Sequence, residues 1–508
     1  MKYLQKLYWI LPLLIAVCFR FTGSDWDDFH LLHPDERFLV QVTEAGSLPE
    51  SFAEWIDPAA SRLNPANNGF QFFVYGTLPL LINKAAASLF AFQTTPSMVV
   101  QIGRFLSALF DVLTVACIGF ASWILWKNKK SVLLSMGGYA ILTAAIQQSH
   151  FYTFDTVVAF LVTISILSAL LLLRESDPRI FLIKSALTGF LSGCAAASKI
   201  NAVFFLLLPF FIFLAHFILS NRNKELRRLI VLCGLLCFAV FFAFTFRIFQ
   251  PYAFREPNLL NFSINADWLN GMKELSLQSR GFVAFPPAWQ WVDQPVNFAL
   301  KNLFLYGSGI ALSLILISGW IFSMIFIRKS YVALRGKKAE SSDEAYSLHY
   351  KDPTFPKETA LMESVSGCDA DLASRTVFLV ISMLCAFFFF IWQMMEFSKM
   401  MRYFLPIFPL LFMISGGIFS ISSKSAKIER IKNFLVIILF LTSLFWSLAF
   451  LSIYHEKHTR IQASEWIYAN IPSPLQAVIE TTEGSVRQSI GIPTFQTISF
   501  DKEPVLLP

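Results

Sequence analysis

The sequence has few charged residues and no cluster of cysteines in its polar loops. Only 15% of its 508 residues are Asp, Glu, Lys or Arg, whereas 55% are hydrophobic, and this balance excludes an ordinary soluble globular protein. None of the seven cysteines lies in a loop that we predict to be external. A disulfide framework or a cysteine-based zinc site is therefore excluded as the basis of the fold.

Apolar runs long enough to cross a bilayer recur along the whole chain. An α-helix rises 1.5 Å per residue, so roughly 20 residues cross a hydrocarbon core of about 30 Å. The sequence predicts an all-α polytopic membrane protein with about 11 transmembrane helices. The predicted spans are residues 4–21, 99–126, 132–149, 156–173, 180–198, 200–219, 229–249, 298–327, 375–392, 403–421 and 433–453.

Lysine and arginine in the short connections predict the orientation, because positive loops are retained in the cytoplasm. With a cytoplasmic N-terminus, five basic connections all fall inside: residues 127–130, 174–179, 221–228, 328–338 and 422–432. A further apolar stretch at 69–92 contains Pro79, Asn83 and Lys84. If it crossed the bilayer, all five basic loops would face outward, so we predict interfacial helices there instead.

This topology divides the chain into a transmembrane module, residues 1–453, and a short external C-terminal tail, residues 454–508. The module contains a first external loop at 22–98, a second at 250–297 and a polar cytoplasmic linker at 328–374. We expect a multi-pass protein of the plasma (inner) membrane. No small-residue cleavage site follows the first apolar run, so we expect it to stay as an uncleaved anchor.

Polar side chains gather in the turns that this topology places outside. Ionisable groups beside hydrocarbon are costly and are therefore often functional. The candidates are Asp35, Glu36, His150, Asp155, Lys199 and Arg402. Each also has a structural interpretation: the acidic residues suit the first turns of helices, a histidine can be an ordinary hydrogen-bonding side chain, and a lysine or arginine can extend to the interface.

Together these residues favour the handling of a lipid phosphate at the outer leaflet. Lys199 and Arg402 can hold a phosphate through charge-assisted hydrogen bonds, and a carboxylate can accept a proton. Asp35 and Asp155 could also bind a divalent metal such as Mg or Mn. A sugar joined through C1 to a polyprenyl phosphate already has a stable anionic leaving group, so one base and a cationic clamp are sufficient.

The motifs HPDERF, FVYGTLPLLI, GRFLSALFDVLTV, QQSHFYTFDT, GCAAASKINA, FRIFQPYAF, PPAWQW and MRYFLPIFPLL occur in this order between residues 33 and 411. With this set the chain resembles the bacterial phospholipid-carrier-dependent glycosyltransferases, relatives of protein O-mannosyltransferases and of the aminoarabinose transferase that acts on lipid A. The resemblance covers about residues 30–475 and implies the GT-C fold.

The resemblance also implies roles for particular residues. The catalytic acidic residue of the first external loop falls on Asp35, with Glu36 beside it, and a second acidic position falls on Asp155. The later external turns imply carrier-phosphate contacts from Lys199 and Arg402, and FRIFQPY adds Arg247 and Tyr252 as substrate-binding candidates. Many relatives have an external C-terminal domain, of which the tail after residue 454 resembles only the start.

We therefore expect an integral-membrane glycosyltransferase that moves a sugar, with inversion, from a polyprenyl-phosphate carrier to an envelope protein, lipid or glycan on the external face. The bilayer is an expected partner, and nucleic acid is not. Two alternatives remain open. A transporter or flippase of a lipid-linked or anionic solute would need inverted repeats and charges near the bilayer midplane. A non-catalytic scaffold would not need Asp35.

Overall fold

The computed structural model describes residues 8–90, 95–219, 224–282, 290–348, 359–423, 425–470, 475–481 and 484–490. In these ranges the regular secondary structure is helical, apart from one small hairpin at 475–490. In chain order the helices are α1 (Ile10–Phe21), α2 (Pro34–Ala45), α3 (Phe52–Ile56), α4 (Thr77–Ser88), α5 (Pro96–Trp126), α6 (Lys129–Ala140), α7 (Thr143–Ser149), α8 (Asp155–Leu173), α9 (Pro178–Ser198), α10 (Leu207–Leu219), α11 (Lys224–Phe249), α12 (Ala266–Ser279), α13 (Phe298–Asn302), α14 (Gly309–Leu348), α15 (Thr359–Met395), α16 (Phe408–Ser415), α17 (Ala426–Leu451) and α18 (Thr459–Asn470).

Shorter elements join or extend these helices. The 3-10 segments are Pro65–Asn68, Ile200–Leu206, Pro251–Ala253, Met401–Ile407, Gly416–Phe419 and Ser452–Tyr454, and Leu303–Gly307 is a π-helical turn. Strands β1 (Leu475–Thr481) and β2 (Gly484–Ile490) pair antiparallel, with Leu475 opposite Ile490 and Thr481 opposite Gly484.

Nine helical stretches of the described residues are long and apolar enough to cross a membrane. They are Pro96–Trp126, Asp155–Leu173, Pro178–Ser198, Ile200–Ile218, Arg228–Phe249, Gly309–Arg335, Ala370–Met395, Met401–Phe419 and Ala426–Asn470. Each overlaps a predicted span, and the all-α polytopic fold class is confirmed. The count of 11 is not reached, because α1 has only 12 described residues and the predicted span 132–149 is two helices.

A buried arginine occupies the break between α6 and α7. Arg20 from α1 donates hydrogen bonds to the carbonyl oxygens of Tyr139 and Ala140, at the end of α6. Asp111 accepts from Arg20 Nε at 2.6 Å and from the Tyr139 hydroxyl at 2.7 Å, and both charged side chains have no solvent exposure. This network satisfies carbonyls that a continuous helix would have used itself.

The helices pack closely where small residues allow it. Gly189 and Gly193 on α9 face α11, and a Cβ on Gly189 would lie 2.3 Å from the Phe238 carbonyl oxygen. Helix α8 is central, so most of its side chains are buried, and its N-terminus holds Asp155 at one end of the bundle. The packing of α8 against α9 therefore fixes the start of α8, which carries Asp155, relative to the end of α9, which is followed by Lys199.

The first loop forms a small second core over that end of the bundle. It contains α2, α3 and α4, and each is too short to span a membrane. Its buried side chains include Leu39, Trp55 and Leu63, which share this core with Val99 of α5. Short helices thus lie where interfacial helices were predicted, and they pack onto the bundle. At the opposite end of α8, Arg174 pairs with Asp371.

Candidate active site

Asp35 lies in the first turn of α2. Pro34 occupies the first helical position and His33 is the N-cap, whose Nδ1 accepts the Glu36 N–H at 3.3 Å. Acidic residues in a first turn are favoured by the helix dipole. The Asp35 carboxylate is 29% exposed and accepts a hydrogen bond from Arg402 Nη1. Arg402 lies 367 positions further along the chain.

A second ion pair joins the ends of two transmembrane helices. Asp155 is the first residue of α8, and Lys199 follows the last residue of α9. Lys199 Nζ donates to Asp155 Oδ1 at 2.7 Å, with side-chain exposures of 18% and 6%. Asp155 is also the first residue of a helix. Its position is therefore compatible both with stabilising the helix start and with a role in the site.

Tyr403 brings the two pairs together. Its ring centroid lies 5.3 Å from Lys199 Nζ and 5.6 Å from Arg402 Cζ, so one aromatic ring is close to both cations. The Arg402 guanidinium interacts electrostatically with both Asp155 and Asp35. Asp35, Asp155, Lys199 and Arg402 therefore form one cluster, which we call the four-charge site.

Two further side chains border the four-charge site. Burial lowers the pKa of His33, against the opposing effect of the nearby Asp35 carboxylate. Burial also raises the pKa of Tyr75, and the negative charge of Asp35 adds to this effect. Both groups are therefore neutral near pH 7. In this state His33 can accept a hydrogen bond and the Tyr75 hydroxyl can donate one.

Glu36 points into a different environment from Asp35. Its carboxylate has no exposure and accepts from Arg104 Nε at 2.8 Å, from Arg104 Nη2 at 2.7 Å and from the Tyr152 N–H at 2.7 Å. Asp27 Oδ1 is 2.9 Å from the same Arg104. This arrangement, the Arg104 network, fastens α2 to α5 and to the loop before Asp155. The geometry gives Glu36 a positioning contact, and its predicted catalytic role remains a prediction.

His150 is buried next to the site. Its Nδ1 lies 2.7 Å from the Ile146 carbonyl oxygen and its Nε2 lies 2.8 Å from the Thr22 carbonyl oxygen. Its ring stacks on Tyr454 with centroids 3.8 Å apart. These contacts join the ends of α1, α7 and α17, so His150 supports the loop that leads to Asp155.

Arg247 and Tyr252 lie outside the four-charge site. Arg247 Nη2 donates to the carbonyl oxygens of Glu256 and Asn258, and its guanidinium lies 4.6 Å from the centre of the Phe254 ring. The Tyr252 hydroxyl is 2.7 Å from Ser61 Oγ. Among the described residues, these contacts hold loops together, so the predicted substrate contacts of Arg247 and Tyr252 remain predictions.

The residues do not form a convincing metal site. No group of three or more His, Cys, Asp or Glu side chains able to hold a metal occurs in the described part of the chain. Asp35 and Asp155 each have a cation at hydrogen-bond distance. A divalent ion between these carboxylates would be repelled by Lys199 and Arg402. The predicted Mg or Mn ligands therefore do not fit a metal in this arrangement.

Sequence reasoning missed three residues of this region. Arg104 lies within an apolar span, where a lone arginine is itself a signal of a buried partner. Tyr403 directly follows Arg402, and Tyr75 lies in the motif FVYGTLP. Aromatic residues are common at membrane interfaces, so neither tyrosine was distinctive in the sequence.

Comparison with solved structures places the fold. ArnT from Cupriavidus metallidurans, bound to undecaprenyl phosphate, has a TM-score of 0.51 and 13% identity, covering 93% of this chain and 82% of that chain. An Archaeoglobus fulgidus oligosaccharyltransferase in complex with Zn and sulfate has a TM-score of 0.47 and 13% identity, covering 92% and 56%. The Saccharomyces cerevisiae Pmt1-Pmt2 protein O-mannosyltransferase complex, bound to the sugar donor, has a TM-score of 0.37 and 16% identity, covering 50% and 34%.

The likeness to ArnT extends over almost the whole chain and shows a shared fold. The other two TM-scores are below 0.5, and the fold assignment does not depend on them. No protein-family model and no curated protein matches the sequence. The chain is a multi-pass, all-α membrane protein with the GT-C fold. The resemblance stated from the motifs is thus confirmed at the level of the fold.

Proposed function

We propose that the protein is a membrane glycosyltransferase that uses a polyprenyl-phosphate sugar as donor. The observation that carries the proposal is the four-charge site, in which cations from the ends of α9 and of the segment Met401–Ile407 meet two carboxylates. Two cations near one aromatic ring suit a phosphate with two non-bridging oxygens. ArnT, which shares the fold, was solved with undecaprenyl phosphate.

The chemistry follows from this arrangement. The lone pair of an acceptor hydroxyl or amine attacks C1 of the sugar, and the bond from C1 to the phosphate oxygen breaks. The bonding electrons pass to the phosphate, whose charge is stabilised by Lys199 and Arg402. Asp35 takes the proton of the acceptor. A single displacement of this kind inverts the anomeric centre.

Asp35 is the better base of the two carboxylates. It is 29% exposed, whereas Asp155 is 6% exposed and is held by Lys199 at 2.7 Å. An acceptor that approaches from the aqueous side meets Asp35 first. We assign Asp155 to the binding of the donor, through the orientation of Lys199. Arg247, Tyr252 and His150 remain further candidates for substrate contacts or for the support of the site.

We further propose that the site faces the periplasm or cell exterior, with the N-terminus in the cytoplasm and the C-terminus outside. The basic connections supply the support, since residues 127–130 and 174–179 belong to the end opposite the four-charge site. Cysteine-substitution labelling with a membrane-impermeant maleimide at exposed Glu256, and at Lys129, tests this orientation. Labelling of position 129 alone in intact cells would contradict it.

A transporter would use charges inside the bundle, and one such pair exists. Arg20 and Asp111 are fully buried, but both oxygens of Asp111 and at least three nitrogens of Arg20 are already hydrogen-bonded within the protein. They complete the break between α6 and α7. This engagement favours a structural role over a transport pathway.

The proposed activity is tested by transfer from a radiolabelled polyprenyl-phosphate sugar in vesicles that contain the purified protein. Candidate acceptors are envelope proteins, lipids and glycans, separated after the reaction. We expect labelled sugar in one acceptor class with the wild-type protein and a strongly reduced amount with Asp35→Asn. Movement of the intact labelled donor across the vesicle, without its cleavage, would instead indicate a flippase.

A further inference from the structure

The two ion pairs of the four-charge site are not equivalent. The Asp155–Lys199 pair is held at 2.7 Å with the carboxylate 6% exposed, whereas the Asp35 carboxylate in the other pair is 29% exposed. Asp155 is fixed at the start of a buried helix, whereas Asp35 lies in the first turn of the short helix α2. The Asp35–Arg402 pair is therefore the easier one to open.

Arg402 also has an unused donor. Its Nη1 donates to Asp35, while its buried Nε has no hydrogen-bond partner within the described ranges of the chain. A guanidinium presents five N–H groups in a planar fork, and a phosphate is commonly held by two adjacent ones. An incoming phosphate would thus find a donor of Arg402 free, but would lie next to the Asp35 carboxylate.

The charges of the site balance before any ligand enters. Asp35 and Asp155 offset Lys199 and Arg402, so a phosphate adds an uncompensated negative charge to a partly buried cluster. Like charges repel most strongly where water is partly excluded. The phosphate and Asp35 would therefore share Arg402, and the interaction of Arg402 with either group would weaken its interaction with the other.

We propose that the carrier phosphate competes with Asp35 for Arg402, so that donor binding releases the carboxylate to take the proton of the acceptor. This inference rests on the proposed function. Without donor, Asp35 is held by Arg402 and is a poor proton acceptor. With donor bound, the phosphate draws on Arg402 and Asp35 turns toward the exposed side.

Competition of this kind couples the two substrates in a fixed order. The donor binds first, and the acceptor loses its proton only when the phosphate is in place. After transfer, the carrier is left as a phosphate monoester with more negative charge than the donor diester, so it holds Arg402 more tightly. The Asp35–Arg402 pair forms again when the carrier leaves, which returns the site to its starting state.

The test is a binding measurement with farnesyl phosphate, a short-chain polyprenyl phosphate, on the full-length protein in detergent. Asp35→Asn removes the competing charge, so we expect it to bind farnesyl phosphate about tenfold more tightly than the wild type. In an Arg402→Gln background the same replacement should change the affinity by less than about twofold. Glu256→Gln removes an exposed carboxylate outside the site, and it should leave the affinity unchanged.

An Asp35→Asn variant that binds farnesyl phosphate no more tightly than the wild type, or that tightens equally without Arg402, overturns the inference. Asp35→Ser is measured in parallel, so that a folding defect of one variant does not decide the result. A wild-type protein that binds no farnesyl phosphate overturns the proposed function itself. Binding and transfer by the wild type, without tightening in either variant, overturn the competition alone.

Discussion

Glu36 adjoins Asp35 in the sequence but belongs to the Arg104 network, and replacing it with glutamine tests what that network does. Glutamine keeps the shape of the side chain and removes its charge. The two carboxylate oxygens accept three N–H groups at 2.7–2.8 Å in a site without solvent exposure. The amide NH2 of a glutamine would direct its own hydrogens at one of these donors.

The energetic cost can be bounded from the contacts. Removing one partner of a buried ion pair costs about 3–5 kcal/mol, because the other charge is left uncompensated. Arg104 keeps Asp27 at 2.9 Å and the carbonyl of Ser24 at 2.7 Å. We therefore expect a loss at the lower end, about 3 kcal/mol, together with a displaced α2.

The assay compares Glu36→Gln with Asp35→Asn, its neighbour, in thermal denaturation and in sugar transfer. Glu36→Gln should lower the denaturation midpoint and reduce transfer by roughly a hundredfold through the misplacement of Asp35. Asp35→Asn should leave the midpoint almost unchanged. If Glu36→Gln abolishes transfer with an unaltered midpoint, Glu36 takes part in the chemistry and the positioning role is wrong.

Replacements at three positions test the site further. Asp35→Asn should reduce transfer by about 10²–10⁴-fold, the usual contribution of a general base, and a loss below about tenfold would point to another base. Tyr403→Leu should weaken farnesyl phosphate binding severalfold while Tyr403→Phe, which keeps the ring near both cations, changes it little; equal losses would show that the hydroxyl matters instead. Burial lowers the pKa of His33 in the folded state, so on acidification the unfolded chain takes up a proton at this residue before the folded protein does. The stability that neutral His33 contributes is therefore lost as the pH falls below about 6.5. His33→Asn keeps an N-cap acceptor without titrating, so its denaturation midpoint should fall less than that of the wild type between about pH 7.5 and pH 5.5, and parallel curves would contradict this.

The residues of the four-charge site could be named from the sequence because topology alone assigns them to one end. Hydropathy predicts the transmembrane spans, and lysine and arginine in the connections predict which loops are cytoplasmic. Counting the spans between the loops then places Asp35, Asp155, Lys199 and Arg402 on the same face. The structure brings these four together. Their chemical roles remain predictions, since proximity does not measure reactivity.

The different environments of Asp35 and Glu36 could not be predicted in this way. Adjacent residues on a helix point about 100° apart, so one of the pair faces the site and the other faces the bundle. Which of them does so depends on Arg104, which lies 68 residues further along the chain. A single sequence contains no signal for that pairing beyond the presence of an arginine in an apolar span.

The break at the end of α6 was equally hidden. The predicted span 132–149 contains no proline, and Gly137 and Gly138 precede the break by several residues. The helix ends at Ala140 because Arg20, from α1, donates to the exposed carbonyl groups. Asp111, from α5, accepts from Arg20 and holds it in place. Tertiary contacts of this kind override local helix propensity.

The most direct measurement is a cryo-electron microscopy structure of the full-length protein with a non-transferable polyprenyl phosphonate analogue of the donor. The account predicts that the phosphonate contacts Lys199 and Arg402 over the Tyr403 ring, with Asp35 separated from Arg402 and facing C1 of the sugar. A phosphonate bound away from these two cations, or one that leaves the Asp35–Arg402 pair closed, would contradict it.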